Sequence, residues 1–124
     1  MHRYDPEQTQ NAQEWLALDE QERISLAEKY HRAARSKLPN LTAHAAIHAA
    51  VENQIAEGHE PVVRAMARLT CAGLSRHDAL HAVGSVLAKH LFDLFHEKSG
   101  TMISTASYDA AIERLTADTW RRGY

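Results

Sequence analysis

The sequence predicts an all-α fold, a single-domain irregular bundle of five to six helices. Two residue pairs have the spacing of an N-terminal capping box, Asp19 with Glu22 and Ser75 with Asp78. Alanine and leucine are frequent, and no alternation of apolar and polar residues continues long enough to indicate a strand. We therefore expect helices packed around one core, with residues 41–98 as its central segment.

Three helices are predicted in the first half of the chain, over residues 7–18, 20–36 and 43–57. Pro6 precedes the first helix, and Asp19 is expected to cap the second. Thr42 is expected to cap the third. Gly58 follows that helix at the position where a glycine commonly ends a helix, so we expect the helix to stop there.

Three more helices are predicted in the second half, over residues 61–72, 76–98 and 107–121. Pro61 fits the first turn of one, and Ser75 is expected to begin the next. Gly73 and Gly100 are the expected helix terminators. Cys71 lies among alanine and leucine residues, which predicts a small buried core residue rather than a nucleophile.

Composition and charge argue against several classes of function. Fourteen basic residues against sixteen acidic ones leave the chain near neutrality, which argues against a nucleic-acid partner. No apolar run approaches the roughly 20 residues that span a membrane, and the polar N-terminus does not resemble a signal peptide. One cysteine cannot form an intramolecular disulfide and fits a reducing compartment. We therefore expect a single cytoplasmic domain over residues 1–124 that does not bind membranes. The sequence is compatible with either a monomer or a homodimer.

The strongest functional signal is a doubled H-x-x-x-H motif, formed by His44 with His48 and by His77 with His81. Residues four apart on a helix lie on one face, about 6 Å apart along the axis. Each pair extends an apolar stripe, so we expect the four imidazoles to face the core and approach one another. Neutral imidazole is a good metal ligand, and the expected cofactor is a divalent transition metal: zinc, nickel, iron or manganese.

Glu52 lies one turn beyond His48 and joins the candidate site. Its carboxylate could bind the metal, accept a hydrogen bond from a ligand, or act as a general base for bound water. Gly84, inside a predicted helix, costs about 1 kcal/mol relative to alanine, and we expect it there because it leaves room. The predicted metal residues are His44, His48, His77, His81 and Glu52. The other histidines are expected at the surface or as helix caps: His2, His31, His59, His90 and His96.

The order of motifs over residues 41–95 resembles a bacterial family of small helical proteins known only as a domain of unknown function. Its members carry an H-x-x-x-H pair, a carboxylate with glutamine, a proline-led helix and a second H-x-x-x-H pair. The corresponding residues here are His44, His48, Glu52 or Asn53, Gln54, Pro61, His77 and His81. The family's acidic residue can lie one position later, where this chain has Asn53. The resemblance implies a role for the four histidines and implies no reaction.

Three interpretations of the histidines stay open at the level of sequence. The first is a metal-binding helical protein, as an enzyme or as a metal-dependent structural domain. The second is a non-catalytic protein-interaction module whose histidines and Glu52 form a buried hydrogen-bond network. The third is a regulatory protein whose imidazoles sense pH, since imidazole titrates near neutrality. No serine has the context of a catalytic nucleophile, and no glycine-rich loop could hold a phosphate.

Overall fold

The computed structural model describes residues 3–33, 40–96 and 105–122, and every regular element in these ranges is an α-helix. The all-α prediction is therefore confirmed. The helices are, in chain order, α1 (Ala12–Ala17), α2 (Glu20–Ala33), α3 (Leu41–Ala56), α4 (Glu60–Cys71), α5 (Arg76–His96), α6 (Thr105–Arg114) and α7 (Ala117–Arg121). They belong to two compact units, Met1–His59 and Glu60–Tyr124.

In the first unit, α3 packs against both α1 and α2. Alanines line the contact, with Ala27 on α2 and both Ala45 and Ala49 on α3 almost completely buried. Such small side chains let helix backbones approach closely. Trp15 of α1 is fully buried, and its indole Nε1 donates to Asn53 Oδ1 at 2.9 Å. The buried indole therefore has an acceptor, as a buried polar group needs.

The helix boundaries of this unit follow from local capping. Asp19 and Glu22 form the predicted capping box, with Glu22 N donating to Asp19 Oδ1 at 2.8 Å. The prediction of Thr42 as a cap is wrong, because α3 begins two residues earlier than predicted, at Leu41. Asn40 is the cap, and its Oδ1 accepts from the Ala43 amide at 3.0 Å. Gly58 ends the helix at φ 74°, as predicted.

The first helix is shorter than predicted, starting at Ala12 rather than near residue 7. The Asp5 carboxylate accepts from the Glu7 amide at 2.9 Å, and the Asp5 carbonyl accepts from the Gln8 amide at 3.1 Å. These bonds hold a turn, which competes with a helix for the same backbone groups. The non-helical segment places Tyr4, only 2% exposed, in the core of this unit.

In the second unit, α4 packs against α5 and α6, and α5 packs against α6. Its largest fully buried side chains are aliphatic: Leu69, Leu80, Ile112, Leu115, Val62, Val83 and Val86. Arg68 lies at the edge of this core and donates to the carbonyls of Ile112 and Leu115 at 2.9 Å each. Carbonyls at the end of a helix need donors from outside that helix, and Arg68 supplies them here.

Two further expectations in this unit are corrected. Residues 107–121 form two helices rather than one, because Thr116 caps α7 with a reciprocal capping box to Thr119. Cys71 is exposed rather than buried, since it is the last residue of α4, beyond the buried Leu69. The predicted helix ends at residues 36 and 98, and the terminator Gly100, lie outside the described residues.

Candidate metal centre

Helix α3 carries the first histidine pair and Glu52 on its packed face. His48 is 3% exposed, Glu52 is 1% exposed, and His44 is half-buried. The fully buried Val51 lies between them in sequence and turns the same face inward. The prediction that these three side chains lie on a core-facing stripe is therefore confirmed within the first unit.

A third imidazole reaches this pair from α2. The ring centroid of His31 lies 4.6 Å from that of His44 and 4.7 Å from that of His48, and the latter two are 4.9 Å apart. One ring nitrogen of each lies within 4.8 Å of the others. His31 is 2% exposed, so its predicted place at the surface is wrong. Its position four residues after the buried Ala27 was the available signal.

The backbone of α2 sets the tautomer of a neutral His31 ring. His31 Nδ1 lies 2.6 Å from the carbonyl oxygen of Ala27, one turn earlier. A carbonyl only accepts, so Nδ1 carries the hydrogen of this bond. In a neutral ring the other nitrogen, Nε2, then holds the lone pair that a metal would bind.

Tyr4 connects His48 to Glu52. Its hydroxyl donates to Glu52 Oε2 at 2.7 Å and lies 3.1 Å from His48 Nδ1. The single hydroxyl proton goes to the carboxylate, so His48 Nδ1 donates to the hydroxyl oxygen. His48 Nε2 is then the nitrogen with a lone pair. The Tyr4 hydroxyl therefore connects Glu52 to His48 through two hydrogen bonds.

Tyr30 contacts the rings of His31 and Tyr4 edge-on. Its ring centroid lies 5.3 Å from that of His31 and 6.1 Å from that of Tyr4. Burial raises the pKa of the Tyr30 hydroxyl, and the carboxylates of Asp5 and Glu7 raise this pKa further. The neutral phenol is therefore the stable form over the physiological range.

The second histidine pair lies in the second unit, at the start of α5. Ser75 Oγ accepts from the Asp78 amide at 3.0 Å, which begins this helix where the sequence predicts. The ring centroids of His77 and His81 are 4.3 Å apart, which their four-residue spacing on one helix face allows. The prediction that this pair shares one ion with His44 and His48 concerns residues of both units, and it stays a prediction.

The remaining histidines lie apart from these groups or outside the described residues. His90 Nδ1 donates to the Val86 carbonyl at 3.0 Å, one turn back along α5. His59 is half-buried at the end of the first unit. His2 and the side chain of His96 lie outside the described residues.

The three-histidine cluster has the donor set of a transition-metal site. Zinc binds imidazole nitrogens at about 2.0–2.1 Å, which puts two ligands of a tetrahedral ion about 3.3 Å apart. The observed limit of 4.8 Å between nitrogens requires only small side-chain rotations to close on an ion. Three nitrogen donors suit zinc or nickel better than manganese, which prefers oxygen.

Comparison of the chain with family models, curated proteins and solved structures finds no match. The resemblance over residues 41–95 therefore stays an expectation from the sequence. No helix within the described residues has the length and apolar character needed to cross a membrane.

Proposed function

We propose that this protein binds a divalent transition metal through His31, His44 and His48. The observation that carries the proposal is the convergence of three imidazoles, two from α3 and one from α2, with ligand nitrogens within 4.8 Å. Two of the rings donate through Nδ1, to a carbonyl and to a hydroxyl, which leaves Nε2 as the ligand atom. Metal-bound histidines in proteins have this second hydrogen bond as a rule.

The number of protein ligands decides what such an ion would do. Three ligands with an open position are typical of catalytic zinc, and four closing a tetrahedron are typical of structural zinc. The sequence prediction adds His77 and His81 to the same ion, and this addition is part of the proposal to be tested. A structural ion linking α2 to α3 would stabilise the fold directly.

The alternative function is a non-catalytic interaction or regulatory module with a buried network. One observation favours it: Tyr4, Glu52 and His48 already form a continuous set of hydrogen bonds. In that case hydrogen bonds within the protein stabilise the buried polar groups, and no ion is needed. The two functions differ in how stability responds to a chelator.

The deciding experiment is thermal unfolding of untagged protein with and without a chelator, followed by addition of zinc, nickel, manganese and iron(II). An ion that binds only the folded state at 100 times its Kd adds about 2.7 kcal/mol of stability. For a chain of this length that corresponds to a change in Tm on the order of 10 °C. Elemental analysis of the same sample gives the stoichiometry and the metal.

The matched control is His90→Gln, which changes a histidine whose ring bonds to the α5 backbone. We expect this variant to keep the chelator-dependent change in Tm, and we expect His48→Gln to lose it. Unfolding curves of the wild type that coincide with and without chelator and metals would instead favour the buried-network module.

A further inference from the structure

The N-terminal segment contributes a side chain to the environment of the metal-binding histidines. Tyr4 is not in a helix, yet it is 2% exposed, and its ring packs 5.7 Å from that of Trp15 and 5.9 Å from that of His48. The turn at Asp5 holds the chain around it. The ring contacts with Trp15 and His48 therefore hold the Tyr4 hydroxyl in place.

The direction of the hydrogen bonds determines what this hydroxyl does. Tyr4 donates to Glu52 Oε2 at 2.7 Å, and the polarised hydroxyl oxygen accepts from His48 Nδ1 at 3.1 Å. An acceptor on Nδ1–H fixes the ring orientation and the tautomer, and it raises the basicity of Nε2. A carboxylate behind the hydroxyl strengthens both bonds because hydrogen bonds in a chain polarise one another.

From this geometry we infer that Tyr4 and Glu52 are positioning residues that orient His48 Nε2 toward the metal, with Glu52 acting through Tyr4 rather than as a ligand. The inference rests on the proposed function, because it assigns outer partners to that same site. It also replaces one of the roles that the sequence left open for Glu52, which is direct binding of the ion.

The order of action gives a specific signature in a double-mutant cycle. If Glu52 influences the ion only through the Tyr4 hydroxyl, removing that hydroxyl also removes the influence of Glu52. Tyr4→Phe should raise the Kd for zinc about 10-fold to 100-fold, the usual cost of losing such a partner. Glu52→Gln should raise Kd in the wild type but change it less than about threefold in the Tyr4→Phe background.

The experiment measures zinc Kd by competition with a chelating dye for the wild type, Tyr4→Phe, Glu52→Gln and the double variant. The Tm of each metal-free variant is measured alongside, so that a loss of folding is separated from a loss of affinity. Cobalt(II) replaces zinc in a second series, because its visible absorption depends on the number and type of direct ligands. Outer partners should leave this absorption unchanged.

The matched control is Tyr30→Phe, which removes a hydroxyl from the same aromatic group. Tyr30 stacks edge-on against His31, with its hydroxyl near the carboxylates of Asp5 and Glu7. We expect its Kd to stay within twofold of the wild type.

Each result separates the two proposals. A Kd within twofold of the wild type in Tyr4→Phe would overturn the positioning role, while one-to-one binding by the wild type would leave the proposed function standing. A further large loss in the double variant, with altered cobalt absorption, would make Glu52 a direct ligand. A wild type that binds no zinc, nickel, manganese or iron(II) would overturn the proposed function and this inference with it.

Discussion

The two H-x-x-x-H pairs have the same spacing but different surroundings within their own units. The rings of His44 and His48 are 4.9 Å apart and those of His77 and His81 are 4.3 Å apart, so the helix sets both pairs alike. Only the first pair is joined by a third imidazole of its own unit, that of His31. Among the described residues of the second unit, no group of three metal-binding side chains forms within that unit.

This difference shows that a spacing motif supplies two donors and that tertiary structure supplies the rest. An isolated pair on one helix offers an ion two nitrogens, fewer than the three or four protein ligands of ordinary zinc sites. In the first unit the third imidazole comes from α2, and the Tyr4 hydroxyl comes from the irregular N-terminal segment. The first unit therefore has the more complete set of candidate ligands.

The largest expected effect compares the pairs directly through His48→Gln and His81→Gln. We expect His48→Gln to abolish the chelator-dependent change in Tm, which is on the order of 10 °C in the wild type. The prediction of a shared ion expects the same loss in His81→Gln. The measurement is unfolding of each variant with zinc and with chelator. An unchanged wild-type response in His81→Gln would confine the ion to the first unit.

Hydrogen exchange sharpens the same comparison helix by helix. At a zinc concentration 100 times Kd, amides of α2 and α3 that exchange through opening of the site should slow by up to about 100-fold. Amides of α4 and α6 that exchange through local opening should change little. Equal slowing in α5 around His81 would support the shared ion, and no slowing in α3 would contradict the proposed site.

Most of the fold could be predicted from the sequence because its signals are local. The Asp19 box, the Ser75 cap and Gly58 each act through backbone groups within four residues, so spacing reveals them. The wrong helix starts also have local causes. Asn40 caps α3 two residues before Thr42. The hydrogen-bonded turn at Asp5 makes the first helix begin later than predicted.

The candidate site could be predicted only in part, because its completion depends on contacts far apart in sequence. His44, His48 and Glu52 share one helix face, which periodicity reveals. Tyr4 contacts Glu52 across 48 positions, and no pattern near Tyr4 indicates this contact. His31 lies one helical turn after the buried Ala27 and so on the same face of α2. Histidine is less often buried than apolar residues, however, so its residue type alone predicts a place nearer the surface.

Replacing the glycine that ends a helix should lower the free energy of unfolding by a similar amount in both units, whether or not metal is bound. Gly58 and Gly73 have φ of 74° and 102°, and a Cβ would meet no atom within 4 Å at Gly58 and only Arg121 Nη2, at 3.6 Å, at Gly73. Gly58→Ala and Gly73→Ala should therefore each lose about 1 kcal/mol through backbone strain alone. Denaturant unfolding measures this loss, and zinc Kd should not change. A loss confined to one variant would contradict the shared explanation.

Surface ion pairs should contribute less in either unit. Arg64 Nη2 lies 2.7 Å from Glu113 Oε1, and this hydrogen bond is the main cause that raises the pKa of Arg64. Arg32 lies 3.4 Å from Glu28, one turn away on α2. Glu113→Gln and Glu28→Gln should each lower the free energy of unfolding only slightly at low salt, and less at high salt. Unfolding at two salt concentrations checks both, and a cost that grows with salt would contradict this account.

The smallest expected effect is an alkaline loss of stability through Tyr30 in the first unit. Burial, Asp5 and Glu7 raise the pKa of Tyr30 in the folded chain above its ordinary value of 10.0. Below that value both states are protonated, and the contribution to stability is constant. As the pH rises through 10 the unfolded chain loses its proton first, so the folded state binds more protons and the free energy of unfolding falls. Tyr30→Phe should therefore lose less stability than the wild type between about pH 9 and pH 11, in denaturant unfolding without metal. The effect is small because Tyr30 is only partly buried. A steeper alkaline loss in Tyr30→Phe than in the wild type would contradict the sign of this shift.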